Sequence, residues 1–134
     1  ILKMRIIKVT GALIKKNDKY LIGRRGPNEK SPGLWEFPGG KIEEGESPVE
    51  CIKRELQEEL NINAEIGDLV TKYNYDYPNV SYLLHFFKIN SYTGEFKMIA
   101  HDKLKWVALN DFHKYDFLQG DTPLINQMLS NNLS

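Results

Sequence analysis

A single cysteine in 134 residues leaves no intramolecular disulfide to form and fits a reducing cytoplasm. Neither sign of charge is in excess, because lysine plus arginine and aspartate plus glutamate each total 18. A general nucleic-acid binder needs a basic excess or stripe, so no nucleic-acid polymer is expected as a partner. No run approaches the ~18 apolar residues of a membrane span. The N-terminal region lacks a signal-peptide shape, since Ile6-Ile7 is broken at once by Lys8. No repeat, linker or low-complexity tract interrupts the chain. What is present, 41% hydrophobic and 11% aromatic residues, suffices for a real core and suits one soluble domain over residues 1–134. Met4 reads as a candidate native start, with Ile1, Leu2 and Lys3 an added or disordered leader.

Strand patterns cover Arg5 to Lys16 and Lys19 to Arg25, hinged at the turn signal Asn17-Asp18. Gly26 to Gly33 is a loop by composition, and Leu34–Phe37 is a short strand stopped by Pro38. Ala64 to Tyr77 and Val80 to Ile89 form a second hairpin around Pro78-Asn79, and Leu104 to Leu109 is a further short strand. The alternating Tyr73, Tyr75 and Tyr77 suit either a half-buried strand face or a base-stacking platform. A helical turn starts at Leu109, and Asp121-Thr122-Pro123 caps a terminal helix through Ile125, Met128 and Leu129. Strands around one strong helix, with a second helix at the end, predict an α/β (α+β) fold in which helices sandwich a mixed sheet.

The densest information lies between Gly39 and Ile62. A glycine loop leads to Ser47, Pro48 and Glu50, a capping box with proline at N1. Val49, Ile52, Leu56 and Leu60 then recur at helical spacing. Glu55, Glu58 and Glu59 stand at i, i+3 and i+4, so their carboxylates share one neighbouring face. They repel one another and sit in the half of the helix where the macrodipole disfavours anions. A solvated acidic face is the plain explanation. The sharper one is a cation site, since clustered hard oxygen ligands suit Mg²⁺ or Mn²⁺ completed by water and substrate phosphate.

Gly40, Glu46 and the run Arg54-Glu55-Leu56-x-Glu58-Glu59-x-x-Ile62 fall at the spacings Gx5Ex7REUxEExGU, in which U is a bulky aliphatic. This resembles the box of the Nudix family, a match of order 10⁻⁸ per window by chance. Asn61 stands where the box has its late glycine, and Asn is the next most tolerant residue of a left-handed C-cap. The resemblance implies an α/β/α sandwich around a mixed β-sheet and metal-assisted cleavage of a diphosphate. It also implies Gly39/Gly40, Glu55, Glu58 and Glu59 as metal ligands, with Glu55 either ligand or general base. Arg54, partnered by Glu46, would orient the glutamates. A plain surface ion pair is the alternative for those two. Many members carry a further glutamate ligand where this chain has Ala100; His101 and Asp102 stand beside it.

Arg24-Arg25 and the run Leu34 to Glu43 resemble the MutT branch, whose members convert nucleoside triphosphates to monophosphate and pyrophosphate. The alignment puts Arg25 and Lys30 at phosphate or base, with a solvated loop lysine the alternative for Lys30. It also puts Glu36 and Phe37 in the nucleoside pocket. Asp121 falls where the 8-oxo-dGTP enzyme reads the base edge with asparagine, and the subgroup acting on CTP and 5-hydroxy-dCTP has Asp-x-Pro there. Ionised, Asp121 would accept from an exocyclic amine; protonated, it would mimic asparagine; structurally, it is an N-cap. The resulting expectation is a Mg²⁺-dependent pyrophosphohydrolase with a small-molecule nucleotide substrate, monomeric or homodimeric, sanitising oxidised nucleotides or acting on CTP. An ADP-ribose hydrolase and a non-catalytic nucleotide-binding module are the rival readings.

Overall fold

The computed structural model describes residues 4–131, so the expected leader at residues 1–3 lies outside the described residues. β1 (Arg5–Leu13) runs parallel to β6 (Val80–Thr93), which pairs antiparallel with β5 (Asn63–Tyr77), giving a mixed three-stranded sheet. β3 (Lys19–Arg25) organises a second, antiparallel sheet with β2 (Lys15–Lys16), β4 (Trp35–Glu36) and β7 (His101–Ala108). The strand expected from Arg5 to Lys16 is therefore two. The break falls at Ile14, whose carbonyl accepts from Leu21 N in the second sheet, so the chain changes sheets there. Asn17 and Asp18, with φ of 52° and 62°, make the tight turn that their residue types suit. β7 starts three residues before the expected Leu104, which brings His101 into the ladder opposite Arg25.

Side-chain alternation along these strands builds two cores. Ala12, Ile14, Leu21, Phe87 and Ile89 face α1 (Pro48–Leu60), which contributes Ile52, Leu56 and Leu60. Leu13, Tyr20, Ile22 and Phe86 face the other way, toward Leu124, Ile125 and Met128 of α2 (Thr122–Asn131). Neighbouring residues of β1 thus serve opposite layers, and the α/β/α sandwich follows.

The helix α1 starts and stops as its sequence dictates. Ser47 Oγ accepts from Glu50 N at 3.1 Å while the Glu50 carboxylate accepts from Ser47 N at 2.9 Å. Asn61 ends it in the left-handed conformation, φ 61° and ψ 31°. Val49 departs from expectation at 46% exposed, because the first turn precedes contact with the sheet. Cys51 is buried instead, on the side of the helix that meets the glycine loop.

Candidate active site

At 100° per residue, Glu59 lies at the edge of the apolar arc of α1, Glu55 about 40° beyond it and Glu58 about 60° beyond that. The structure follows this fan. Glu59 and Glu55 line one wall of a cavity of about 550 Å³, whereas Glu58 does not. The Glu55 side chain is 14% exposed and that of Glu58 58%. The three carboxylates expected on one face are therefore divided into an inner pair and an outer member.

The glycine loop behaves as a strand laid along β1. Thr10 N donates to Gly40 O at 2.8 Å, Ala12 N to Pro38 O at 2.8 Å and Ile42 N to Lys8 O at 2.9 Å. Alternation then turns the backbone groups of Phe37 and Gly39 the other way, toward the cavity. Phe37 N donates to the Asp121 carboxyl at 3.0 Å, and Gly39 N donates to Glu59 Oε1 at 3.2 Å. The two glycines thus differ. Gly40's carbonyl is consumed by β1, with the Thr10 hydroxyl donating to it as well at 3.2 Å. Gly39's carbonyl is the one on the cavity side. A Cβ on Gly40 would fall 2.3 Å from the Glu55 carboxyl carbon, and one on Gly39 only 2.0 Å from Thr10 O. Only glycine lets helix, loop and strand approach this closely.

Arg54 ties the helix to this loop. Its guanidinium donates to Glu46 at 2.7 and 2.9 Å, to Glu55 Oε1 at 2.8 Å, to Glu58 at 3.0 Å and to Lys41 O at 3.0 Å. Arg54 draws the Glu46 carboxylate down to about 2, chiefly through these hydrogen bonds. A guanidinium with five donors is suited to such a hub, and the Arg54–Glu46 pairing is the one expected from sequence. Cys51 packs behind the loop, its thiol 3.3 Å from both Thr10 Oγ1 and Lys41 O; burial pushes it up to about 11, far from a reactive thiolate.

The opposite wall comes from β3, β4, β7 and the turn before α2. Arg25 donates to Glu36 Oε1 at 2.8 Å and to the carbonyl of Lys30, so it fastens the 26–34 loop to β4. His101 Nε2 lies 2.8 Å from Glu36 Oε2, a buried partnership that links residues 65 apart in sequence. Asp102 instead pairs with Arg24 at 2.7 Å, away from the carboxylates of α1. Lys30, Glu36, Phe37 and Asp121 line the cavity, as do Tyr77, Tyr82 and Phe86. Tyr73, Tyr75 and Tyr77 are half-buried, and Tyr73 packs within the core against Phe86. Asp121 is not the expected helix cap: its hydrogen bond reaches across to Phe37, and it sits in a 3₁₀ turn (Gln119–Asp121) ahead of α2.

These acids share too little positive charge. Burial first, then the Glu36 and Glu55 charges, pushes Glu59 up to about 9. Burial also raises Glu55, against the opposing pull of Arg54. Asp121 rises to about 8, again by burial and then by Glu36. Among the described residues no three His, Cys, Asp or Glu groups converge as a finished metal cage. Glu59, Glu55 and the Gly39 carbonyl form an open oxygen-donor set, which fits an ion that keeps water and phosphate in its shell. A divalent cation would offset the burial, and the lesser mutual repulsion, that raise both glutamates.

The family profile described as NUDIX domain matches residues 4–128. A CTP pyrophosphohydrolase of Escherichia coli K12 is 31% identical over 127 residues, covering 95% of this chain and 94% of that one. An 8-oxo-dGTP diphosphatase of the same organism is 31% identical over 118 residues, covering 88% and 92%. Among solved structures, the E. coli ORF135 protein superposes with a TM-score of 0.85 at 30% identity, covering 96% and 92%. A MutT protein from Methanosarcina mazei Go1 gives 0.86 at 25% identity over the whole of both chains. With the box of α1, the glycine loop and the sandwich all in place, the chain belongs to the Nudix family and is a MutT-like Nudix hydrolase.

Proposed function

We propose that the protein is a nucleoside triphosphate pyrophosphohydrolase that splits its substrate into monophosphate and pyrophosphate, with Mg²⁺ as its cation and Mn²⁺ able to replace it. The observation that carries this reading is the joining of two chemistries in one cavity. The segment from Phe37 to Gly39 connects them, its N–H groups bonding Asp121 at one residue and Glu59 two residues on. Near Gly39 stand the carboxylates suited to a cation; near Phe37 stand aromatic side chains and the buried Asp121 carboxyl, suited to a base.

Glu55, Glu59 and the Gly39 carbonyl would hold the cation. When bound, it neutralises charge on the polyphosphate and polarises water. Glu55 Oε1 is engaged by Arg54, which leaves Oε2 to take a proton from the attacking water. Glu58, tied to Arg54 at the exposed edge, serves as an outer ligand or as an anchor for Arg54. Arg25 and Lys30, which line the cavity, would serve as cations for the phosphate chain, and Arg25 holds Glu36 in the wall. Phe37 supplies an apolar surface for the base, and Asp121 reads its polar edge. The named activities of the two E. coli relatives support a cytosine nucleotide or an oxidised purine nucleotide as substrate.

The test is a screen of CTP, dCTP, 5-hydroxy-dCTP, 8-oxo-dGTP, dGTP and ADP-ribose with Mg²⁺, with products resolved by ion exchange. Pyrophosphate and a nucleoside monophosphate are expected from at least one triphosphate. Orthophosphate release would sink the chemistry; preference for ADP-ribose would overturn the substrate class. Binding without turnover would point to a nucleotide-binding module.

A further inference from the structure

The first turn of α2 needs hydrogen-bond acceptors from outside the helix. Asp121 lies within the 3₁₀ turn and lacks the extended backbone of an N-cap residue, so its carboxylate does not supply them. Position 123 is proline and has no N–H, which leaves the amide of Leu124 as the next donor to place. That amide is already taken. It donates to the hydroxyl of Tyr73, on β5, at 3.3 Å. The same hydroxyl donates to Gly120 O at 2.6 Å, so one oxygen grips the turn on both sides of Asp121. Thr122 does not compete, because its hydroxyl donates back to Gln119 O at 2.7 Å. The Tyr73 ring is fixed by stacking on Phe86, centroids 5.9 Å apart at 30°, and by its place opposite Leu84 in the β5–β6 ladder. Tyr73 itself does not line the cavity.

We propose that Tyr73 is a positioning residue for specificity: by holding Gly120 O and Leu124 N it fixes the 3₁₀ turn that carries Asp121 and keeps the Asp121 carboxyl turned to the cavity. This rests on the reading of Asp121 as the group that meets the base. Without the hydroxyl, Gly120 O and Leu124 N both lose this partner and the turn that carries Asp121 is free to shift. Asp121 then turns away from Phe37 N and from the bound base. Tyr73 therefore acts on selectivity through Asp121 and not by touching substrate.

Tyr73→Phe keeps the ring and removes the hydroxyl, so it is the variant to test in the full chain. Amide hydrogen exchange is expected to quicken at Phe37 by about tenfold or more, the loss of roughly one hydrogen bond. Leu124 is expected to quicken with it, and Leu21, remote in the second sheet, to be unchanged. Faster exchange at all three amides would mean general loosening and would overturn the proposal, as would a Phe37 amide that stays protected. In kinetics, the preference between CTP and dGTP in kcat/KM should narrow about tenfold, through KM more than kcat. In an Asp121→Ala background the same change should add nothing. An equal loss for both nucleotides, or a full additive effect in that background, refutes coupling through Asp121. If the native chain hydrolyses no nucleoside triphosphate, the functional reading falls, and the exchange pattern alone then decides whether Tyr73 sets Asp121.

Discussion

Glu59 and Asp121 are the two residues whose chemistry departs furthest from their free side chains, and burial is the first cause for both. A neutral isostere of a protonated acid should be tolerated by the apo fold, so Glu59→Gln should retain the fold and raise the apo Tm near pH 8. As a candidate ligand it should at the same time lower kcat by about 10³-fold or more, the scale on which transition-state charge stabilisation is lost. Retained turnover in a steady-state assay would remove Glu59 from the cation site. For Asp121, a value of about 8 means that the carboxyl is mainly protonated at neutral pH and ionised above it. A protonated acid can donate to a base oxygen, whereas the carboxylate only accepts, as the amine of cytosine requires. The ratio of kcat/KM for CTP over dGTP should therefore rise between about pH 6.5 and about pH 8.5, and Asp121→Asn should flatten it. Taking a ratio removes titrations common to both substrates.

At the scale of elements, the glycine loop and α1 work as one unit because β1 anchors the first and Arg54 fastens the second to it. The two glycines predict different failures. An alanine methyl at Gly39 meets the backbone carbonyl of Thr10, which cannot move without lifting the loop from β1. Gly39→Ala should therefore lower stability by about 3 kcal/mol or more, read from urea unfolding. At Gly40 the obstacle is the end of the Glu55 side chain, which can turn aside. Gly40→Ala should stay folded with a small loss of stability and lose most of its turnover, because Glu55 is displaced. If Gly40→Ala keeps wild-type kcat, Glu55 is not placed by this contact. Both the helix and the loop were legible in the chain: capping box, apolar spacing and Asn61 all locate α1. The change of sheet at Ile14 was not, because a run of apolar residues carries no mark of which neighbour takes its hydrogen bonds.

For the molecule as a whole, the buried acids and the Arg54 network act on stability in opposite directions with pH. Glu59 titrates near 4.5 unfolded and about 9 folded, and Asp121 near 3.8 and about 8. The folded state holds the extra protons between those values, so their contribution is complete at acid pH and is lost as pH rises toward about 8 to 9. Glu46 does the reverse: from 4.5 it falls to about 2, and its contribution is lost as pH drops through that window. The metal-free protein should therefore be most stable at mildly acid pH, and its Tm should decline from there toward pH 9. At the proposed cation site Mg²⁺ would take the place of the Glu59 proton, so the rise in Tm on adding it should grow with pH and vanish with EDTA. A Mg²⁺ effect equal at pH 6 and pH 9, measured by calorimetry, would contradict a site built on Glu59.

Family, helix and the class of chemistry, hydrolysis of a phosphoric anhydride, could be read from the chain because they depend on local spacing. The capping box, the fan of Glu55, Glu58 and Glu59, and Arg54 beside Glu46 all lie within one turn-to-helix segment, where a 100° step per residue sets their relative places. Contacts between distant segments left no such trace. His101 against Glu36, Gly40's carbonyl turned into β1, and Tyr73 in place of Asp121 as the cap of α2 join residues 30 to 65 apart. Which of two competing acceptors takes a given N–H depends on which strand passes nearby, and only the packed sheets settle that. The glutamate helix was legible from the start, and its angular step sets the fan of Glu55, Glu58 and Glu59; which side of that fan meets the cavity, and the turn of Asp121 toward it, came from tertiary structure.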